Sequence, residues 1–191
     1  SDVCSSDLMK TYSYPTIDSP DVRYFPTSAS YVNYNGQHIL NTRYVSYTLF
    51  PSGTYFFTVS FHEGVDNNKI YNKNVMSILN DNFEPISFNE MDDNIDLPKL
   101  KTYSEGFEDM RLYEHNGELK YIATTVNYAQ TEPGRSRMIV GKYNKDSNSY
   151  SDYKIIEPPY DTWNEKNWIP FSNKGEELFI YKWYPFELGK I

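Results

Sequence analysis

The sequence has little of what disulfides, metal sites and nucleic-acid surfaces require. Among 191 residues it contains one cysteine, Cys4, and three scattered histidines, so neither a disulfide framework nor a histidine-based metal site is predicted. The formal charge is −8 and no basic stripe is present, which argues against binding to nucleic acid or to an anionic membrane. No apolar run reaches the length of a transmembrane helix. No cofactor motif is present either, so no cofactor is predicted.

The first residues form a segment of their own. Residues 1–8 match the frame translation of a common sequencing adapter, and we expect them to be an artefact; a genuine tail is the alternative. Because Cys4 lies in this segment, the genuine chain would then contain no cysteine. We also expect the native N-terminus to be missing. On this prediction residues 9–23 are an N-terminal extension, and residues 24–191 are a single, partial domain.

The composition and the turn signals both favour β structure. Aromatic residues make up 17% of the chain, including 19 tyrosines, and aromatic side chains suit a pleated, half-buried surface. Residues 69–80 are the only candidate helix, and Asn72 and Asn74 weaken it. Hairpin turns are predicted where glycine follows a turn-forming or charged residue between aromatic runs. These pairs are Asn35-Gly36, Ser52-Gly53, Asn116-Gly117 and Lys174-Gly175.

An internal repeat organises these hairpins. A shift of 81 residues places residues 27–47 on residues 108–128 and superimposes their two Asn-Gly turns. A weaker echo covers residues 165–181. Units of about 40–50 residues with several short strands are typical of β-propeller blades. We therefore predict an all-β fold, a five-bladed β-propeller with about four blades present, and a β-sandwich of unrelated hairpins as the alternative. The blades are predicted to begin near Phe25, Tyr71, Phe107 and Glu165.

A propeller would bring polar residues from distant strands to one axial funnel, because the first strands of all blades converge there. Asp109 and Glu165 each stand at the start of such a strand. Glycoside chemistry needs a proton donor, a second carboxylate and an aromatic platform for the sugar. We therefore predict Asp109 and Glu165 as the catalytic pair. The predicted substrate-binding residues are Glu108, Arg111, Arg43, Lys73, Asn74, Lys166, Asn167 and Trp168.

Each of these residues also has a purely structural interpretation. Glu108 and Asp109 could form an ion-paired strand end with Arg111. The pair Lys166-Asn167 could be a solvated turn. Trp168 could be a core residue that packs one unit on the next.

Residues 106–112 read Gly-Phe-Glu-Asp-Met-Arg-Leu. They are similar to the Gly-x-Glu-Asp-Pro-Arg-Ile/Leu motif of five-bladed β-propeller glycosidases, especially the mannoside-phosphorylase family, whose superfamily includes arabinanases and fructosidases. Residues 165–171 resemble a later blade of such proteins, and the resemblance covers residues 24–191. It implies a propeller fold and action on a glycosidic bond. It also implies Asp109 as proton donor, Arg111 as an orienting residue and Glu165 as the second carboxylate. Met110 departs from the motif, because the family has proline there.

The resemblance leaves several functions open. The first is an enzyme that hydrolyses or phosphorolyses a glycoside. Its partners would be an oligosaccharide or glycoside and, for phosphorolysis, inorganic phosphate. The second is a non-catalytic glycan-binding or scaffold propeller, and a third is a propeller that assists a glycosyltransferase in glycan assembly. The separation of the two carboxylates distinguishes catalytic modes, because about 5–5.5 Å favours retention and about 6.5–9.5 Å favours inversion.

Overall fold

The computed structural model describes residues 12–58 and 68–190, and these residues form strands and loops only. The predicted artefact, residues 1–8, lies outside the described residues. No helix long and apolar enough to cross a membrane occurs in the described ranges. The strands, in chain order, are β1 (Ile17–Asp18), β2 (Arg23–Tyr34), β3 (Gln37–Val45), β4 (Tyr47–Leu49), β5 (Tyr55–Phe57), β6 (Ile70–Leu79), β7 (Asn89–Met91), β8 (Ser104–Glu105), β9 (Glu108–His115), β10 (Glu118–Thr125), β11 (Arg137–Asn144), β12 (Ser149–Ile156), β13 (Ile169–Asn173), β14 (Glu176–Trp183) and β15 (Phe186–Lys190).

The first sheet has the strand order β1-β2-β3-β6-β7, and β8 pairs with β6 in parallel. β6 is antiparallel to β3, with Arg43 opposite Asn74. The prediction that a separate unit begins near Tyr71 is therefore wrong, because β6 returns to the sheet that β2 and β3 began. The candidate helix over residues 69–80 is likewise a strand. The small hairpin of β4 and β5 is inserted between β3 and β6.

The second sheet is a four-stranded meander, β12-β11-β10-β9, and the third has the order β13-β14-β15. The described residues thus form three larger sheets where four units were predicted. All four predicted turns join antiparallel neighbours. Each of these turns uses a glycine at positive φ, between 78° and 82°, which a residue with a Cβ rarely adopts. The all-β prediction is confirmed.

One strand from each of the other two larger sheets contacts β9 of the second sheet. The Ser30 hydroxyl on β2 donates to the Met110 carbonyl at 3.0 Å and accepts from the Leu112 amide at 3.3 Å. Further along the same edge of β9, the Ser172 hydroxyl of β13 donates to the Glu114 carbonyl at 3.2 Å. Serine side chains therefore bridge β9 to both β2 and β13.

Alternation along β9 gives the strand two apolar faces, because successive side chains of a strand point to opposite sides. Met110 and Leu112 pack in a core shared with the first sheet. Tyr113 packs in a second core with Trp168 and Phe179 of the third sheet region. Burial of both faces of one sheet joins all three sheets into a continuous packed body and fixes the start of β9, where the candidate site lies.

Candidate functional site

A β-bulge shapes the start of β9. Arg111 pairs with Ile122, and Glu108 pairs with Thr124. Two residues of β9, Asp109 and Met110, therefore lie opposite the single residue Ala123 of β10. Asp109 has φ of +49°, in the left-handed region. A bulge re-aims side chains and is common next to functional sites. Here it allows the neighbouring carboxylates of Glu108 and Asp109 to reach the same guanidinium.

That guanidinium belongs to Arg43, on β3 of the first sheet. Its Nη1 donates to Oδ1 of Asp109 at 2.9 Å, and its Nη2 lies 3.4 Å from Oε2 of Glu108. Nε and Nη2 both donate to Oδ1 of Asn72, at 2.9 and 2.7 Å. The Arg43 side chain is only 10% exposed. Because the planar guanidinium is held at several points, its orientation is fixed and Asp109 is fixed with it.

The Asp109 carboxylate has one occupied oxygen. The Ser28 hydroxyl donates to Oδ1 at 3.0 Å, alongside the bond from Arg43. Ser28 precedes Asp109 by 81 residues, so the two are equivalent positions of the sequence repeat. Within the described ranges no side chain bonds to Oδ2. A carboxylate has acceptor capacity on both oxygens, and Oδ2 is therefore available to a ligand.

Asp109 and Arg43 line a cleft of about 610 Å³ that combines these charges with aromatic rings. Burial raises the pKa of the Tyr47 phenol, and Arg43 opposes the shift, so Tyr47 stays a neutral donor at ordinary pH. Mixed aromatic and polar walls of this volume suit a small organic ligand. The other lining residues are Tyr14, Thr16, Phe25, Pro26, Thr27, Ser28, Thr48 and Leu49.

Two predicted substrate-binding residues lie elsewhere on β6. Asn74 is fully buried; it donates to the Phe107 carbonyl at 2.9 Å and accepts from Asn41 at 3.2 Å. It therefore supports the chain that leads into β9. Lys73 lies on the opposite face of the sheet, 2.6 Å from Glu90 and over the ring of Tyr24. The structure does not bring either side chain to the cleft.

Arg111 forms no ion pair with Glu108 or Asp109 among the contacts of the described residues. In the described part of the chain its Nε is buried without a hydrogen-bond partner, and Arg43 instead binds Glu108 and Asp109. The interpretation of residues 108–111 as an ion-paired strand end is therefore wrong about the cation, which is Arg43 and not Arg111. The ion pair spans two sheets, and sequence proximity gave no sign of it.

Glu165 is held apart from the cleft. It is 4% exposed, and its carboxylate accepts from the Trp168 indole at 3.0 Å, from the Tyr181 hydroxyl at 3.1 Å and from the Thr162 hydroxyl. It shares none of these partners with Asp109, and it does not line the cleft. The structure thus gives Glu165 a local network of its own, beside the second core.

Lys166, Asn167 and Trp168, which follow Glu165 in the chain, lie where the structural alternative expects them. Lys166 and Asn167 are exposed, and Asn167 has φ of +64°, as in a solvated turn. Trp168 is buried between the second and third sheets. None of these three residues lines the cleft beside Asp109.

Sequence reasoning missed Ser28, Asn72 and the aromatic walls of the cleft. Only Ser28 had a usable signal, because the 81-residue repeat superimposes it on Asp109. Tyr14 belongs to the predicted N-terminal extension, which lies outside the predicted domain. Among the described residues no group of three or more histidine, cysteine or acidic side chains could hold a metal ion.

Comparisons with protein-family models, with curated proteins and with solved structures find no match for this chain.

Proposed function

We propose that the cleft beside Asp109 binds a glycan. The observation that carries the proposal is the state of the Asp109 carboxylate: Arg43 and Ser28 hold Oδ1, while Oδ2 is left to accept a hydrogen bond at the cleft. Sugar hydroxyls donate hydrogen bonds, and a carboxylate held in a fixed position can accept them. Tyr14, Phe25 and Tyr47 would cover the apolar face of a sugar ring.

We further propose that the three larger sheets are consecutive blades of a β-propeller. Two observations support this. β9 is joined to β2 through Ser30 and to β13 through Ser172, and each sheet packs its face on the next. Radial repetition of four-stranded sheets has this arrangement. The five-bladed family that residues 106–112 resemble would then share this architecture.

Binding without cleavage is the form of the proposal that the geometry favours. The predicted catalytic pair needs two carboxylates on either side of a glycosidic bond, yet Glu165 is bound by Thr162, Trp168 and Tyr181 in a network separate from the cleft. Both the Arg43 guanidinium and the Ser28 hydroxyl donate to the Asp109 carboxylate, so this carboxylate serves as an acceptor in the site.

Catalysis is the second candidate, and one observation favours it. Asp109 has a left-handed backbone conformation, which costs a non-glycine residue of the order of 1–3 kcal/mol and tends to persist at functional sites. Glu108 lies on the same guanidinium and would supply the second carboxylate. On this candidate the protein would hydrolyse a glycoside, or phosphorolyse it if inorganic phosphate enters beside Arg43.

The test is calorimetric titration of the protein with mannose-, arabinose- and fructose-based oligosaccharides, together with product analysis after incubation with and without inorganic phosphate. We expect at least one glycan to bind with a dissociation constant of roughly 1 μM to 1 mM, without products. Products in either incubation would contradict binding without cleavage and support the catalytic candidate. No binding across the panel would contradict the proposal.

A further inference from the structure

A small aromatic hairpin stands at the edge of the cleft. It consists of β4 and β5, and Tyr47, Thr48 and Leu49 of β4 line the cleft. Its base is tied to the first sheet: the Thr58 amide donates to the Ser46 carbonyl at 2.9 Å, and the Arg23 amide donates to the Thr58 carbonyl at 3.1 Å. The hairpin is therefore held in a fixed position beside Asp109.

The two faces of the hairpin differ. Tyr47 pairs with Phe57, and Leu49 pairs with Tyr55, so these four side chains share one face. The rings of Tyr47 and Tyr55 are 4.9 Å apart, and those of Tyr55 and Phe57 stack at 6.4 Å. Phe56 alternates to the opposite face, where its ring contacts Phe50. An aromatic row thus leads from Tyr47, at the cleft, to Tyr55, outside it.

Tyr55 is exposed over 53% of its surface. Exposed apolar groups that form a contiguous patch beside a polar cleft mark a ligand surface. The row begins at a wall of the Asp109 cleft, and its outer ring carries a hydroxyl that can hydrogen-bond. This combination fits a chain of sugar units, because each sugar ring has an apolar face and hydroxyl groups at its edge.

We infer that the hairpin extends the cleft and makes the site specific for an oligosaccharide over a monosaccharide. This inference rests on the proposed glycan-binding function. One sugar unit sits at Asp109 against Tyr47, and the following unit lies on Tyr55. Tyr55 is then a specificity-determining residue, because it raises the affinity for longer oligosaccharides. Asp109 contributes to the affinity of every ligand that enters the cleft.

The test is a titration series with one glycan of the binding class, from the monosaccharide to the hexasaccharide. Affinity is expected to rise with length, and Tyr55→Ala is expected to weaken tetrasaccharide binding by about tenfold, as loss of one aromatic contact can. Monosaccharide binding should not change. Phe56→Ala is the matched control: Phe56 is also 53% exposed but lies on the other face, and its loss should leave both affinities unchanged.

A further pair of variants separates the ring surface from the fold of the hairpin. Tyr55→Phe should keep the gain with chain length, and Tyr55→Leu should lose it. Affinity that does not depend on length, or equal losses in Tyr55→Ala and Phe56→Ala, would overturn the inference and leave the proposed function intact. Failure of every length to bind would instead contradict the proposed function. A protein partner that binds through Tyr55 while the oligosaccharide series shows no length effect would likewise overturn it.

Discussion

Arg43 and Asp109 lie 66 residues apart in the chain and are joined by a hydrogen bond of 2.9 Å from Nη1 to Oδ1. The bond connects β3 of the first sheet to the bulged start of β9 in the second. The same guanidinium also binds Asn72 and Glu108. One buried side chain thus holds two sheets together and sets the direction of the carboxylate that faces the cleft.

Replacement of Arg43 should therefore destabilise the fold. Arg43→Ala would remove the guanidinium that binds Asp109, Glu108 and the amide oxygen of Asn72. Removing one partner of a fully buried pair costs about 3–5 kcal/mol, and we expect roughly 2–3 kcal/mol here because the carboxylates remain partly exposed. Urea denaturation measures the free energy of unfolding.

Arg23→Ala is the matched control for Arg43→Ala. Arg23 also pairs with an aspartate, Asp18, but the two side chains are 59% and 57% exposed. The expected loss is below about 1 kcal/mol, as for other surface pairs. Equal losses in the two arginine variants would contradict the bracing role of Arg43.

Gly106 should tolerate no side chain. It has φ of +85°, and a Cβ there would lie 2.5 Å from the Asn72 carbonyl oxygen and 2.8 Å from Oδ2 of Asp93. Gly117 has nearly the same φ, +79°, with open space around it. Gly117→Ala should cost about 1–2 kcal/mol for the left-handed backbone alone. Gly106→Ala should cost clearly more, and thermal unfolding of both variants gives the difference; a matching pair of midpoints would contradict the close packing at Gly106.

The turns were predictable from the sequence, but the division into sheets was not. Asn35-Gly36 and Asn116-Gly117 need positive φ at consecutive residues, so their sequence signal is local and strong. The return of β6 to β3 is a long-range pairing across the inserted hairpin. The sequence of residues 69–80 allowed a weak helix, and nothing in it indicates which strand β6 pairs with.

The same distinction explains the site. Glu108 and Asp109 are predicted as site residues because they stand at a strand start, within the motif that residues 106–112 resemble. The structural alternative paired them with Arg111, their neighbour in sequence, whereas the bulge and the sheet-to-sheet packing bring Arg43 to them instead. Glu165 was assigned from an analogous strand start, but its three neutral donors hold it inside its own sheet region.

Glu165 should act on stability and leave ligand binding unchanged. Glu165→Ala removes the acceptor of Thr162, Trp168 and Tyr181, and buried donors without a partner cost about 1–3 kcal/mol each. We expect a loss of at least about 2 kcal/mol in urea denaturation. Glycan affinity, measured well below the unfolding midpoint, should match that of the unaltered protein. Loss of affinity in a folded Glu165→Gln variant would restore Glu165 to the site.

Glu177 should make the contact between the second and third sheets sensitive to acid. Burial opposes ionisation of this carboxyl, but hydrogen bonds from Lys120 and Tyr113 outweigh burial and lower its pKa. Because the folded-state pKa is lowered, the stabilisation is present above the unfolded value of about 4.3 and is lost as pH falls through the folded value. Glu177→Gln should therefore be less stable than the unaltered protein at pH 7, and the difference should disappear in acid.

The measurement for Glu177 is urea denaturation of both proteins at pH values between about 7 and 2.5, a range that spans the unfolded pKa. Glu176→Gln is the control, because Lys190 lowers the pKa of Glu176 as well but the pair is exposed on both sides. Its effect should be smaller and should fade in high salt. A constant gap between Glu177→Gln and the unaltered protein across this pH range would contradict the linkage.

The most direct test of the central claim, that Asp109 receives the glycan through Oδ2, is calorimetric titration of Asp109→Asn. Since Arg43 and Ser28 require an acceptor at Oδ1, the amide nitrogen would take the place of Oδ2 and present a donor to the cleft. We predict affinity about ten- to a hundredfold weaker, as for a lost hydrogen bond to a charged group. Asp146→Asn, at a side chain that is 84% exposed, should bind normally. Unchanged affinity in a folded Asp109→Asn protein would contradict the claim.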